Sequence, residues 1–223
     1  MTWRPYLDPI VAAARAAGPE RCSVLLLRHS IREPIASAAT EAALLAPLTD
    51  EGRAMARAFG GRLDAARPVR IFHSAVPRCV ETAELIAEGL RVVGGAPSVA
   101  GARRFLGAPY LHDPEGALGT LGDDGIAGFV RSWVEGRWPA SVIDPIRDAG
   151  LALLRDLEAE SESAPAGTLD IHVTHDMTIL ALLSLSRDLS DPQSEWPDYL
   201  EGVSISRTSS GASIRWRAGP DPD

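Results

Sequence analysis

Two short segments, far apart in the chain, put histidine beside residues that handle anions. Arg28-His29-Ser30-Ile31-Arg32-Glu33-Pro34 sets one imidazole between guanidinium groups, and His175-Asp176 pairs a second imidazole with a carboxylate. Between them, Ser74 and Arg78 stand four residues apart. Arginine forks match phosphate oxygens two at a time. Neighbouring cations disfavour a protonated imidazole, so His29 is expected to be neutral and nucleophilic without a dedicated base. Arg28, Arg32, Arg78 and a cationic His175 would neutralise the equatorial oxygens of a phosphoryl group, and Asp176 would protonate the leaving alkoxide. No metal or cofactor is needed for that chemistry, and no His/Cys spacing suggests a metal site.

Each group follows an apolar run that reads as a buried strand: 23–27 before Arg28, 69–72 before Ser74 and 169–173 before His175. Ligands in open parallel sheets bind beyond the carboxyl ends of the strands, which would bring the three groups into one crevice. Helical patterns alternate with the strands. One starts at Thr49 or Asp50 and carries Met55, Phe59 and Leu63; another opens at Pro77 and stops at Gly94-Gly95. Further helices are expected over about 125–135, 143–160 and 177–186. Residues 202–208 and 212–217, joined across Ser209-Ser210-Gly211, read as a closing hairpin. The fold predicted is α/β: a three-layer α/β/α sandwich on a mainly parallel central sheet, one domain over 1–223. The Gly/Pro/Asp-rich stretch from 101 to 138 is expected to be a reduced lid or insertion.

Composition narrows the partners. Net charge is −8, with 45% hydrophobic and 23% charged residues, so nucleic acid and anionic membranes are disfavoured. The start of the sequence lacks the apolar core of a signal peptide, and no run nears the roughly 20 residues of a membrane span. Cys22 and Cys79 would lie at opposite ends of adjacent parallel strands and stay reduced, which suits a cytoplasmic protein.

The first motif resembles the RHGxRxP signature of the histidine phosphatase superfamily, in its acid-phosphatase branch. His175-Asp176 resembles that branch's HD dipeptide. Leu48-Thr49…Gly52 and Ser74…Arg78-Cys79…Thr82-Ala83 look like the intermediate landmarks, in order. The resemblance implies a phosphoglycerate mutase-like fold and a phosphomonoester hydrolase that acts through phosphohistidine. His29 would be the nucleophile, Arg28, Arg32, Arg78 and His175 the phosphate ligands, and Asp176 the acid. The substrate would be a small phosphorylated metabolite and inorganic phosphate a product. Asp113 and Glu115 are alternative acids, because the phosphoglycerate mutase branch takes its acid from this region. A phosphomutase or phosphotransferase, or a retired phosphate-binding module, are the other readings. Ser30 stands where the family has glycine, either crowding the turn or adding a hydroxyl near the phosphate.

The remaining polar residues read as structural. His73 and His172 fall within strands and are expected to be packed, and His172 and His175, three apart, to face opposite sides of the sheet. Trp133, Trp138 and Trp196 suit core or lid packing, and Arg103 and Arg104 suit solvated charges. Substrate selectivity is expected in 35–45 and 101–138.

Overall fold

The computed structural model describes residues 3–16, 22–35, 45–119, 125–208 and 211–217. In chain order its elements are α1 (Asp8–Ala16), β1 (Ser23–Arg28), α2 (Asp50–Gly60), β2 (Val69–His73), α3 (Pro77–Val92), β3 (Ser98–Ala102), α4 (Pro114–Gly119), α5 (Gly125–Val134), α6 (Ile146–Glu162), β4 (Leu169–Thr174), α7 (Asp176–Leu183), β5 (Gly202–Thr208) and β6 (Gly211–Trp216). The strands form one sheet in the order β3-β2-β4-β1-β5-β6. The first four are parallel, while β5 runs antiparallel to β1 and β6 antiparallel to β5. This is the expected α/β fold with a mainly parallel sheet.

Period-two alternation sorts the strands between two helical layers. Leu25, Leu27, Val69, Ile71, Ile171 and Val173 are buried with α1, α2 and α3 on one face. Val24, Leu26, Phe72, Val203 and Ile205 are buried with α5, α6 and α7 on the other. Burial on both faces explains why β1, β2 and β4 read as continuous apolar runs. His172 points to the second face, fully buried and stacked on Phe72 at 4.8 Å between centroids.

Four elements depart from the sequence reading. The edge strand β3 has the sequence SVAGA, in which Val99 is the one strand-forming side chain; pairing with β2, more than propensity, makes it extended. Helix α1 buries Ile10, Val11 and Ala14, and the short α4 interrupts the irregular stretch. Helix α6 begins at Ile146, not 143, because Pro145 keeps the residue before it out of helical geometry. Cys22 and Cys79 are free thiols, though β4 lies between β1 and β2, so those strands are not neighbours. Residues 36–44 of the selectivity segment, 120–124 of the lid and the hairpin turn at 209–210 lie outside the described residues. Among the described residues no helix is long and apolar enough to cross a membrane.

Helices α2 and α3 approach closely enough to touch backbone to backbone. A Cβ on Gly89 would overlap the carbonyl oxygen of Arg57. Alanine at position 89 gains about 1 kcal/mol of helix propensity, but the clash is with backbone and cannot be rotated away. Gly89→Ala is expected to lower stability by about 1–3 kcal/mol in urea unfolding, despite being the better helix former.

Candidate active site

The carboxyl ends of β1, β2 and β4 continue in register past the last paired residues. His29 N–H donates to the Thr174 carbonyl and Ser74 N–H to the Val173 carbonyl, each at 2.9 Å. Three strand ends thus deliver His29, Ser74 and His175 to one place. Pro77 starts α3 immediately beside it and swings Arg78 into the same crevice.

His29 is 2% exposed. Its Nδ1 lies 2.8 Å from the Ser30 carbonyl. A carbonyl can only accept, so Nδ1 carries the proton and Nε2 the lone pair. Arg78 Nε donates to that lone pair at 2.9 Å. The same guanidinium reaches His175, with Nη2 3.2 Å from Nδ1. His175 Nε2 is then the protonated nitrogen, donating to Ser74 Oγ at 3.1 Å. The two imidazoles meet edge to face, 5.6 Å between centroids.

Burial, then the Arg78 charge, then His175 and Arg28, hold His29 well below the ordinary histidine range. The expected neutrality is present, with desolvation as its largest cause. His175 departs from expectation. Burial first, then Arg78 and Arg28, against the opposing pull of Asp176, keep it neutral rather than cationic.

Arg28 is buried, and both of its Nη atoms are engaged. Nη1 donates to the Pro197 carbonyl at 2.8 Å, and Nη2 meets Asp176 Oδ2 at 2.9 Å. Its guanidinium lies 4.2 Å above the Tyr199 ring centroid, and its Nε is buried without an acceptor among the described residues. Asp176 opens α7 and accepts the Met177 N–H at 2.9 Å. Arg32 is half-buried, its Nη1 on the Glu33 carbonyl at 2.9 Å, and its charge reaches Arg78. Asp113 and Glu115 sit exposed at the start of α4, where Asp113 accepts the Gly116 N–H. Among the described residues, neither acid touches the cluster.

Ser30 turns away from the crevice. Its N–H donates to Thr82 Oγ1 at 3.1 Å, and its hydroxyl donates to the Gly52 carbonyl at 2.7 Å. Thr82 in turn donates to the Arg78 carbonyl at 2.6 Å. The added hydroxyl therefore ties this turn to α2, while the link to α3 runs through the Ser30 backbone N–H. Thr49 accepts the Gly52 N–H at 2.9 Å and caps α2 as expected. A Cβ on Gly52 would overlap the Ile31 carbonyl, so only glycine allows α2 this close to the turn after His29.

Pro197 and Tyr199 are the components that sequence reasoning misses. They precede a strand, whereas that reasoning looks only at residues following strands. Because β5 is antiparallel to β1, its start lies at the edge where β1 ends, and Leu27 pairs with Gly202. A predicted closing hairpin beside β1 is the available signal, once its direction is known.

Residues 24–94 match the model of the histidine phosphatase superfamily (branch 1). The chain has the fold of that superfamily. A mycobacterial glucosyl-3-phosphoglycerate phosphatase in complex with VO3 superposes with a TM-score of 0.61 at 21% identity, over 89% of this chain and 100% of that one. A mutant phosphoserine phosphatase from Entamoeba histolytica, in complex with phosphoserine, gives 0.57 at 16% identity over 86% and 94%. Phosphoglycerate mutase from Bacillus anthracis str. Sterne gives 0.53 at 14% identity over 89% and 93%. No curated protein sequence matches the chain. The histidine phosphatase match is to branch 1, and the acid-phosphatase affinity suggested by His175-Asp176, outside the matched residues, is not confirmed.

Three buried histidines of this histidine phosphatase fold bind protons more readily unfolded than folded: His29, His175 and His172, the last held at about 3 by burial, Arg70 and Arg103. Their contribution is complete above the unfolded value of about 6.5 and drains as pH falls towards the folded values, by up to about 1.4 kcal/mol per pH unit for each. Neither ring nitrogen of His172 has a partner among the described residues. His172→Phe is therefore expected to keep the Phe72 stack and to flatten the loss of urea stability between pH 6.5 and 5 by about one proton's slope. An unchanged slope would show that His172 does not charge on unfolding.

Proposed function

We propose that the protein is a phosphomonoesterase that transfers the phosphoryl group of a small phosphorylated metabolite to His29 Nε2 and then to water. The observation that carries this reading is the orientation of His29. Its Nδ1–H is pinned on the Ser30 carbonyl, which leaves the Nε2 lone pair facing a guanidinium donor in a crevice lined by cations.

In the resting protein Arg78 covers the nucleophile. An incoming phosphate dianion offers Arg78 better acceptors than an imidazole nitrogen. Its oxygens draw the guanidinium off Nε2, so the lone pair is uncovered where phosphorus arrives. Arg32 and His175 complete the ligation, and phosphate raises the proton affinity of His175 Nδ1 until it too donates. The Nε2–P bond forms as the bond to the leaving oxygen breaks, and Asp176 supplies that oxygen's proton. Water then attacks phosphorus, the N–P bond breaks, and the water's proton returns to Asp176. Lowering the histidine's proton affinity keeps it ready for attack well below pH 6.5, so the acidic limb of the rate profile should not report His29.

The fold is shared with phosphatases whose structures hold phosphoserine and 3-phosphoglyceric acid, which supports small phosphate esters as the substrate class. Hydrolysis of an aryl phosphate with a chelator present tests the mechanism. His29→Ala is expected to lose at least about 10³-fold in kcat, and Arg78→Ala about 10²–10³-fold. A phosphoenzyme trapped by rapid denaturation should survive alkali and decay in acid. Free phosphate should appear in step with substrate loss; a deficit would instead indicate transfer to a second acceptor. Turnover that persists in His29→Ala overturns the reading.

A further inference from the structure

Ser74 and Cys79 are both fully buried beside His175, and neither has a part in the reaction described so far. They meet the imidazole at the ring nitrogen that does not face Arg78. Nε2 lies 3.1 Å from Ser74 Oγ and 3.7 Å from Cys79 Sγ.

The hydrogens of this group can be placed one by one. A hydroxyl has one hydrogen and two lone pairs, and a thiol has one hydrogen and a weakly accepting sulfur. The Val76 N–H donates to Ser74 Oγ at 3.3 Å, and His175 Nε2 faces the same oxygen. The hydroxyl is also hydrogen-bonded to Cys79, whose sulfur receives its hydrogen. The thiol's own hydrogen points to the Thr174 carbonyl, 3.7 Å from Sγ. Burial pushes that thiol up to about 12, so it keeps its hydrogen at neutral pH. Nε2 therefore looks onto two acceptors. Across the ring, Nδ1 looks onto a donor, the Arg78 guanidinium. One neutral tautomer fits both sides.

We propose that Ser74 and Cys79 are positioning residues that lock His175 with its hydrogen on Nε2, so that Nδ1 is the nitrogen presented to an incoming phosphate group. The role rests on the crevice binding phosphate as proposed above. When a phosphate oxygen replaces Arg78 at Nδ1, a proton from solvent adds there, while Nε2 keeps its own hydrogen on Ser74. The imidazolium then has an acceptor at each end. Arg78 and Arg28 oppose that added proton, Asp176 favours it, and the neutral His29 ring meets His175 edge to face. The charge of the phosphate joins Asp176 on the favourable side.

NMR of nitrogen-labelled protein distinguishes the two tautomers directly, with His175→Ala used to assign the His175 signals. Wild type should show His175 protonated on Nε2 alone, and on both nitrogens once saturated with inorganic phosphate. Ser74→Ala removes the nearer acceptor. It should populate the Nδ1-protonated form and weaken inorganic phosphate about tenfold or more, because a buried charged donor then lacks its partner. Cys79→Ala leaves the Ser74 hydrogen free to turn onto Nε2. It should admit the same second tautomer, with phosphate weakened about two- to fivefold. Cys79→Ser, whose hydroxyl replaces the thiol as acceptor, should keep the wild-type tautomer.

A packing role alone would lower the stability of these variants and leave the tautomer as it is. His175 still protonated on Nε2 alone in Ser74→Ala, or phosphate affinity unchanged there, overturns the lock while leaving the phosphate site standing. If Ser74→Ala does not fold, Cys79→Ala against Cys79→Ser carries the test, and identical tautomers in the two overturn the lock. If inorganic phosphate leaves the His175 signals of wild type unchanged, phosphate binding in the crevice fails and the role of Ser74 and Cys79 falls with it.

Discussion

One guanidinium serves two imidazoles. Arg78 gives Nε to His29 and Nη2 to His175, and both rings point lone pairs at it. That arrangement needs two neutral histidines, since a protonated ring nitrogen has no lone pair to offer. Burial supplies the neutrality, and the Arg78 charge then reinforces it. The cost falls partly on Arg78, whose own proton affinity is lowered by burial and by the nearby charges of Arg32 and Arg28. Positive charge is thus stored in a crevice of an acidic protein, and a dianion would relieve it. The neutrality of both rings and the concentration of positive charge beside them thus have the same physical origin.

The fold keeps this cluster rigid by fastening its turns to each other. Ser30 and Thr82 form a short chain of hydrogen bonds from α2, through the nucleophile's turn, to the first turn of α3. Glycines at positions 52 and 89 let α2 approach the turn and α3 without a side chain in between. A shift of either helix would therefore reach His29 and Arg78 together. The ion pair of Arg70 with the buried Asp170 anchors the opposite end of the sheet.

Much of this is legible in the sequence, for a definable reason. Strands buried on both faces, helices with one apolar stripe and polar residues at strand ends all leave local patterns, and β1, β2, β4, α2 and α3 show them. The meeting of His29, Arg78 and His175 follows from the parallel topology alone. What escapes depends on context instead. The SVAGA edge strand is extended because β2 is beside it, and Val99 alone in it favours a strand. The charge state of His175 depends on the depth of its burial, and the role of Ser30 is hidden because the direction of its hydroxyl is set by Gly52, 22 residues away. Tyr199 escapes because the direction of β5 decides which of its ends reaches the crevice.

The reversal of β5 bears on how the molecule comes into being. Parallel strand ends could gather His29, Ser74 and His175 once β4 has docked between β1 and β2. Arg28, however, waits for a loop 169 residues further along to supply Pro197 O, and Tyr6 must find a carbonyl 193 residues away. Such closures are the slowest class of contact to form, since nearly the whole chain is looped out between the partners. During synthesis the strands that carry His29, Ser74 and His175 are complete before Pro197 is added to hold Arg28. The setting of Arg28 is thus completed only when the segment leading into β5 joins the sheet.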